Sequence, residues 1–186
     1  MNEVSIIIGS DSDIPVLEDV VTILDEFQVS YEKRILSAHR TPDILIKYVK
    51  STEKNGTRVF IAIAGMSAAL PGVVASLTLK PVIGVPVYKS GGAFSGMDSL
   101  LSIVQMPPGV PVATVSVNGG KNAALLALRI LALENNNIGS KLAEYKLTDW
   151  KAPSHNCQDY CDEVLKEYEK IKKNKTKHEK QSGTMK

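Results

Sequence analysis

Short apolar runs alternate along this chain with stretches whose apolar positions return every three or four residues. Val4 to Ile8 is an apolar run closed by Gly9, as in a strand covered on both faces. Leu17, Val20, Val21, Leu24 and Phe27 then recur at helical spacing, predicting a helix from about Ile14 to Phe27 with Asp13 as N-cap and Pro15 in the first turn. Tyr31 to Leu36 reads as a second strand, Pro42 to Lys50 or beyond as a second helix, Arg58 to Ala64 as a third strand, and Ala69 to Leu77 as a short helix starting near Pro71. The alternation continues with a strand at Val82 to Val85, a helix over "SGMDSLLSIVQM", a strand at Val112 to Val115 and a helix from Ala123 to Leu133. Such a β-α beat with short connections implies right-handed crossovers and an open parallel sheet with helices on both faces, an α/β fold. After Glu134 only helical patterns follow, "NNNIGSKLAEYK" and "PSHNCQDYCDEVLKEYEKIKK". Ile138, Leu142 and Tyr145 form an apolar stripe on the first of these, for which a neighbouring subunit is a suitable cover.

Composition agrees with this reading. Hydrophobic residues make up 44% of the 186, with only three Phe and one Trp, so the core is aliphatic, as helices packed on a parallel sheet require. A chain of this length forms one domain that buries roughly 70% of its unfolded surface. Residues 1–150 are expected to form the main body, and 151–186 a C-terminal helix and Lys-rich tail, within the same domain or bridging subunits. Val59 to Leu79 carries no charge over 21 positions, but Gly65 and Pro71-Gly72 divide it into strand, loop and helix rather than a membrane span.

The formal charge of +2 conceals an asymmetry: residues 166–186 hold eight Lys against three Glu, a net of +5, which leaves the body at −3. The tail has no Arg and only Tyr168 as an aromatic, so it lacks a stacking platform for single strands, and no nucleic-acid partner is expected. Cys157 and Cys161 are too few for a disulfide framework, and with His155 they lack a second ligand pair at zinc spacing, so no metal is expected. The first residues show neither a basic n-region nor an apolar h-region, and a cytoplasmic location is expected.

In an open parallel sheet, ligands bind beyond the carboxyl ends of the strands near the point where strand order reverses. The loops there are "GSDSD", "SAHR", "GMSAALPG", "PVYKSGGAFSG" and "NGGKN". "GSDSD" sets Ser10, Ser12 and Asp13 at the positive end of a helix, a cradle for a phosphate or else plain helix capping. It lacks the Lys of a Walker loop and the glycine spacing of a dinucleotide fingerprint, so a monophosphate suits it better than ATP or NAD. In "SAHR", His39 is either a partly buried helix cap or an acid and base near neutrality, and Arg40 offers a planar fork for phosphate.

"GSDSD", "SAHRTPD", "ALPGVVASLT", "PVIGVPV", "GMDSLLSIVQMPPGVPVATV" and "KNAALLALRIL" together resemble the PurE family of purine biosynthesis, over about residues 4 to 150. The resemblance implies a flavodoxin-like three-layer sandwich with a five-stranded parallel sheet, assembled as a homo-octamer with shared active sites. It also implies conversion of N5-carboxyaminoimidazole ribonucleotide into 4-carboxy-5-aminoimidazole ribonucleotide, through released and recaptured CO2 and without any cofactor. On that resemblance His39 is the general acid and base, and Ser10 and Ser12 hold the phosphate with Arg40. Asp13 anchors the ribose, and Ser37, Gly65, Ser67, Leu70 and Gly72 complete the substrate site, with Gly91 and Gly92 letting backbone approach the ring.

One departure concerns the third loop. Many bacterial mutases of the family read "GGAAHLPG" where this chain reads "GMSAALPG", placing Ala69 at the position of a second histidine. Relatives that carboxylate aminoimidazole ribonucleotide directly with CO2 also lack that histidine and carry a serine at Ser67. They have Lys after the active-site His, however, and an Arg and an Asn beside that serine, where this chain has Arg40, Met66 and Ala68. The mutase is therefore the first reading and direct carboxylation the second. A carboxylase of nickel-pincer cofactor synthesis, sharing "AGM" and "ALP", and a non-catalytic flavodoxin-like nucleotide-binding module stand further off.

Overall fold

The computed structural model describes residues 2–149. In chain order it contains β1 (Val4–Ile8), α1 (Ile14–Glu26), β2 (Tyr31–Ile35), α2 (Pro42–Lys54), β3 (Val59–Gly65), α3 (Leu70–Leu77), β4 (Val82–Val87), α4 (Met97–Val104), β5 (Ala113–Thr114), α5 (Gly120–Ala132) and α6 (Asn136–Asp149). The chain divides into two compact units, residues 1–143 and 144–186. The sheet and α1 to α5 lie in the first unit, and the described part of the second is the end of α6. The last helix expected from the sequence, the Lys-rich tail and the group His155, Cys157 and Cys161 lie outside the described residues.

All five strands are parallel, in the order β2-β1-β3-β4-β5, the flavodoxin-like arrangement. Val4 is level with both Tyr31 and Val59, so β1 and its two neighbours start together, and β3 runs two residues beyond the ends of β1 and β2. The central strands are fully buried because their apolar side chains serve both faces. On one face Ile7, Phe60 and Ala62 meet Leu45 and Val49 of α2, Leu70 and Val74 of α3 and Ile103 of α4. On the other, α5 packs against α1, β3 and β4. Two glycines permit that packing. A Cβ on Gly120 would overlap the Val16 carbonyl oxygen of α1, and one on Gly84 would overlap Ile103 and lie 2.8 Å from Val112.

Three expectations change in detail. β4 runs through Pro86 to Val87 rather than stopping at Val85, because Pro86 lies beyond the end of β5, where its missing N–H faces no ladder; its carbonyl accepts the Asn118 N–H at 2.8 Å. β5 keeps only two regular residues of the four expected, following Pro111, which offers no N–H to a ladder. Ile138 is 4% exposed within the first unit, so this end of the predicted stripe on α6 needs no neighbouring subunit to cover it.

The outer edges of the sheet differ in kind: β2 exposes Lys33, Arg34 and Ile35, while β5 is a two-residue stub. The uncharged stretch from Val59 to Leu79 folds as β3, a loop and α3. Among the described residues, no helix is long and apolar enough to cross a membrane.

Candidate active site

Strand order reverses between β1 and β3, and a cleft of about 790 Å³ opens beyond their carboxyl ends. It is lined by residues of the four loops that follow β1, β2, β3 and β4. A smaller depression of about 360 Å³, lined by Asn2, Glu32, Lys54, Asn55 and Thr57, sits toward the opposite ends of the strands, away from all these loops.

In the first loop the chain makes a short 3-10 turn at Asp11–Asp13 before α1 begins. Asp13 occupies the N-cap position of α1 but its side chain does not cap the helix. Its carboxylate turns back instead, accepting the Ser10 N–H at 3.1 Å and the Ser12 hydroxyl at 3.4 Å. It is only 3% exposed, and those donors are what make a buried carboxylate tolerable. Ser10 and Ser12 share a short hydroxyl–hydroxyl bond. Ser10 and Asp13 line the cleft, while Ser12 is exposed at its rim.

Ser37 and Thr41 shape the second loop between them. The Ser37 N–H donates to Thr41 Oγ1 at 3.1 Å, the Thr41 N–H donates to the Ser37 carbonyl at 3.0 Å, and the Arg40 N–H donates to Ser37 Oγ at 3.2 Å. The turn is therefore built without the side chains of His39 and Arg40. Both are exposed on the cleft, and neither has a hydrogen-bond or ion-pair partner among the described residues. The alternative of His39 as a partly buried helix cap is set aside: Thr41 holds the N-cap position of α2, and His39 faces solvent.

The third loop supplies Gly65, Met66, Ser67, Ala69 and Leu70 to the lining. Gly65 ends β3 against Val87, whose carbonyl would be 3.1 Å from a Cβ there. Met66 follows with φ 57° and is 77% exposed, a non-glycine side chain held in the left-handed region at the mouth of the cleft. Gly72 is not brought into the cleft. It lies inside α3, where a Cβ would come within 3.0 Å of the Met106 thioether, so its smallness serves helix packing.

Residues that sequence reasoning did not single out come from the fourth loop. Tyr88, Lys89 and Phe94, with Asp98 from the first turn of α4, line the cleft together with Gly91 and Gly92. Lys89 reaches across to the first loop, pairing with Asp13 Oδ1 at 3.6 Å and donating to Ser12 Oγ. The signal was present in "PVYKSGGAFSG", a lone basic residue just past a strand in a glycine-rich loop. Both ends of this loop are anchored: Asn118 bonds the backbone of Tyr88, and buried Ser99 donates to the carbonyls of Val87 at 3.0 Å and Gly96 at 2.9 Å. The fifth loop, "NGGKN", thus supplies a clamp rather than a lining residue. Among the described residues, no group of three His, Cys, Asp or Glu side chains could hold a metal ion.

The family model described as AIR carboxylase matches residues 3–151. An N5-carboxyaminoimidazole ribonucleotide mutase of Pyrococcus abyssi is 54% identical over 146 residues, 78% of this chain and 83% of that protein. A phosphoribosylaminoimidazole carboxylase of Schizosaccharomyces pombe is 57% identical over 129 residues, 69% of this chain but 23% of that longer protein. The crystal structure of Treponema denticola PurE superposes with a TM-score of 0.71 at 29% identity, covering 91% of this chain and 98% of that one.

Proposed function

The chain belongs to the AIR carboxylase family, and on that premise we propose that it acts in purine biosynthesis, converting N5-carboxyaminoimidazole ribonucleotide into 4-carboxy-5-aminoimidazole ribonucleotide. Supporting this is the high identity to a mutase of similar length. The observation that carries the assignment of roles is that His39, without a partner among the described residues, stands on a cleft that also holds Ser10, Asp13, Ser37 and Arg40. An imidazole near neutrality can give and take a proton in one turnover. As the N5 carbamate releases CO2, His39 protonates the departing nitrogen. The ring carbon C4 then attacks the CO2, and His39 takes the C4 proton, so the enzyme returns to its starting state with nothing consumed. CO2 held beside C4 recombines far faster than CO2 drawn from solution, which makes a walled cleft the central requirement. Ser10, Ser12 and Arg40 hold the phosphate, Asp13 the ribose, and Gly65, Ser67 and Leu70 the ring side.

Direct carboxylation of 5-aminoimidazole ribonucleotide by CO2 is the second reading, favoured by Ala69 and Ser67 on the cleft wall in place of a second histidine. One assay separates the two: purified protein receives either the N5-carboxy compound or the uncarboxylated ribonucleotide with CO2. Faster turnover of the first supports the mutase, and turnover of neither overturns the assignment.

The catalytic unit proposed is residues 1–150, with 151–186 as an extension, in a cytoplasmic homo-octamer as the family resemblance implies. Support for association comes from α4, where Met97, Leu101 and Val104, four and then three residues apart, expose one apolar face.

A further inference from the structure

We propose that Lys89 is a specificity-determining residue for the phosphate end of the substrate, the second cation of the cleft beside Arg40. This deepens the ribonucleotide reading above and rests on it. A phosphate monoester carries about −1.5 to −2 charges near neutral pH. Among the described residues, the carboxylates lining the cleft are Asp13 and Asp98, and they face the cations Arg40 and Lys89. Without Lys89, two carboxylates would stand against the single guanidinium of Arg40 among these groups, a poor match for an incoming dianion.

Lys89 is placed where such a ligand would arrive. Its ammonium lies on Ser12, the serine placed above on the phosphate, and on the adjacent Asp13, although it comes from the far side of the cleft. Asp13 does not need the lysine to remain satisfied, since the Ser10 N–H donates to it and the ribose hydroxyls placed on it above would donate as well. The ammonium can therefore turn from the carboxylate to a phosphate oxygen without stranding a buried charge. The side chain is 49% exposed on a flexible four-carbon stem, while its base is fixed by the Asn118 clamp on the preceding residue, Tyr88. A fixed base with a mobile tip suits a group that is parked on one anion in the empty cleft and delivered to another on binding.

The test uses 5-aminoimidazole ribonucleotide and its dephosphorylated ribonucleoside as competitors of turnover of the N5-carboxy substrate, with wild type, Lys89→Met and Lys89→Arg at matched ionic strength. Lys89→Met should weaken the nucleotide and raise substrate KM by about tenfold or more, with kcat changed little, leave the nucleoside unaffected, and be largely rescued by Lys89→Arg. Equal weakening of nucleotide and nucleoside would overturn the proposal, because Lys89 would then act only by holding Asp13. An unchanged nucleotide affinity with full turnover would also overturn it while leaving the enzymatic assignment standing. A wild type that neither binds the nucleotide nor turns over would remove both.

Discussion

Asn118 holds Tyr88 by both of its backbone groups: the Tyr88 N–H donates to Asn118 Oδ1 at 2.9 Å, and Asn118 Nδ2 donates to the Tyr88 carbonyl at 3.1 Å. Asn118 itself has φ 55°, a region that asparagine tolerates better than most residues. Its own N–H is fixed on the Pro86 carbonyl. The loop that carries Lys89 and Phe94 therefore departs from a point set by a residue thirty positions away in sequence.

Asn118→Gly removes both side-chain bonds without penalising the backbone conformation. Thermal unfolding should show a loss of about 1 kcal/mol per bond or less, whereas KM should rise severalfold, because a displaced loop misplaces the groups it carries. A variant with unchanged kinetics would show that the clamp does not position the loop for binding.

His39→Asn should retain the fold and nucleotide binding, since the His39 side chain is exposed and bonds nothing among the described residues. Turnover should drop by about two to four orders of magnitude, the usual contribution of a positioned acid or base. Steady-state assay alongside ligand binding checks both halves, and near-normal turnover would remove His39 from the chemistry.

Much of this architecture is legible in the chain itself. Val4 to Ile8 and the run ending at Ala64 declare buried strands through nearly continuous apolar residues, and Leu17, Val20, Val21 and Leu24 declare the inward side of α1. Once the sheet is known to be parallel, the sites of Ser10, Asp13, His39 and Arg40 follow from topology alone. Gly72 and Lys89 do not. The tolerance of one for its neighbour Met106 and the reach of the other to Ser12 depend on distances between segments remote in sequence. The length of β4 was hidden for a similar reason, because Pro86 is acceptable only beside a strand as short as β5.

Gly120→Ala tests the closest helix contact. The new methyl would collide with the Val16 carbonyl, a backbone atom that cannot rotate aside, and would lie 2.8 Å from Asp19 Cβ. Separating α1 from α5 to admit it should cost about 2–3 kcal/mol, read from denaturant midpoints at constant slope. A neutral result would mean that the two helices are not held at this spacing.

Ser5 and Tyr48 share a hydrogen bond of 2.8 Å between β1 and α2, and Ser5 is fully buried. Tyr48→Phe leaves the serine hydroxyl without that partner and should cost about 1–3 kcal/mol, while adding Ser5→Ala should recover part of it. Burial raises the Tyr48 phenol above its ordinary value of 10.0, with the Ser5 bond acting in the opposite direction. Above pH 10 the unfolded chain releases this proton first, so its contribution is complete below that pH and is lost as pH climbs toward the raised folded value. Unfolding free energies measured on the alkaline side should thus decline more steeply for wild type than for Tyr48→Phe.

The two ends of the sheet also govern how copies of the molecule can meet. Exposed Lys33 and Arg34 on the five-residue edge strand β2 and the two-residue stub of β5 on the other border disfavour extension of the sheet by an incoming strand. Any association between copies would then fall to side-chain surfaces on the helical layers, where recognition depends on shape and can close on itself instead of propagating.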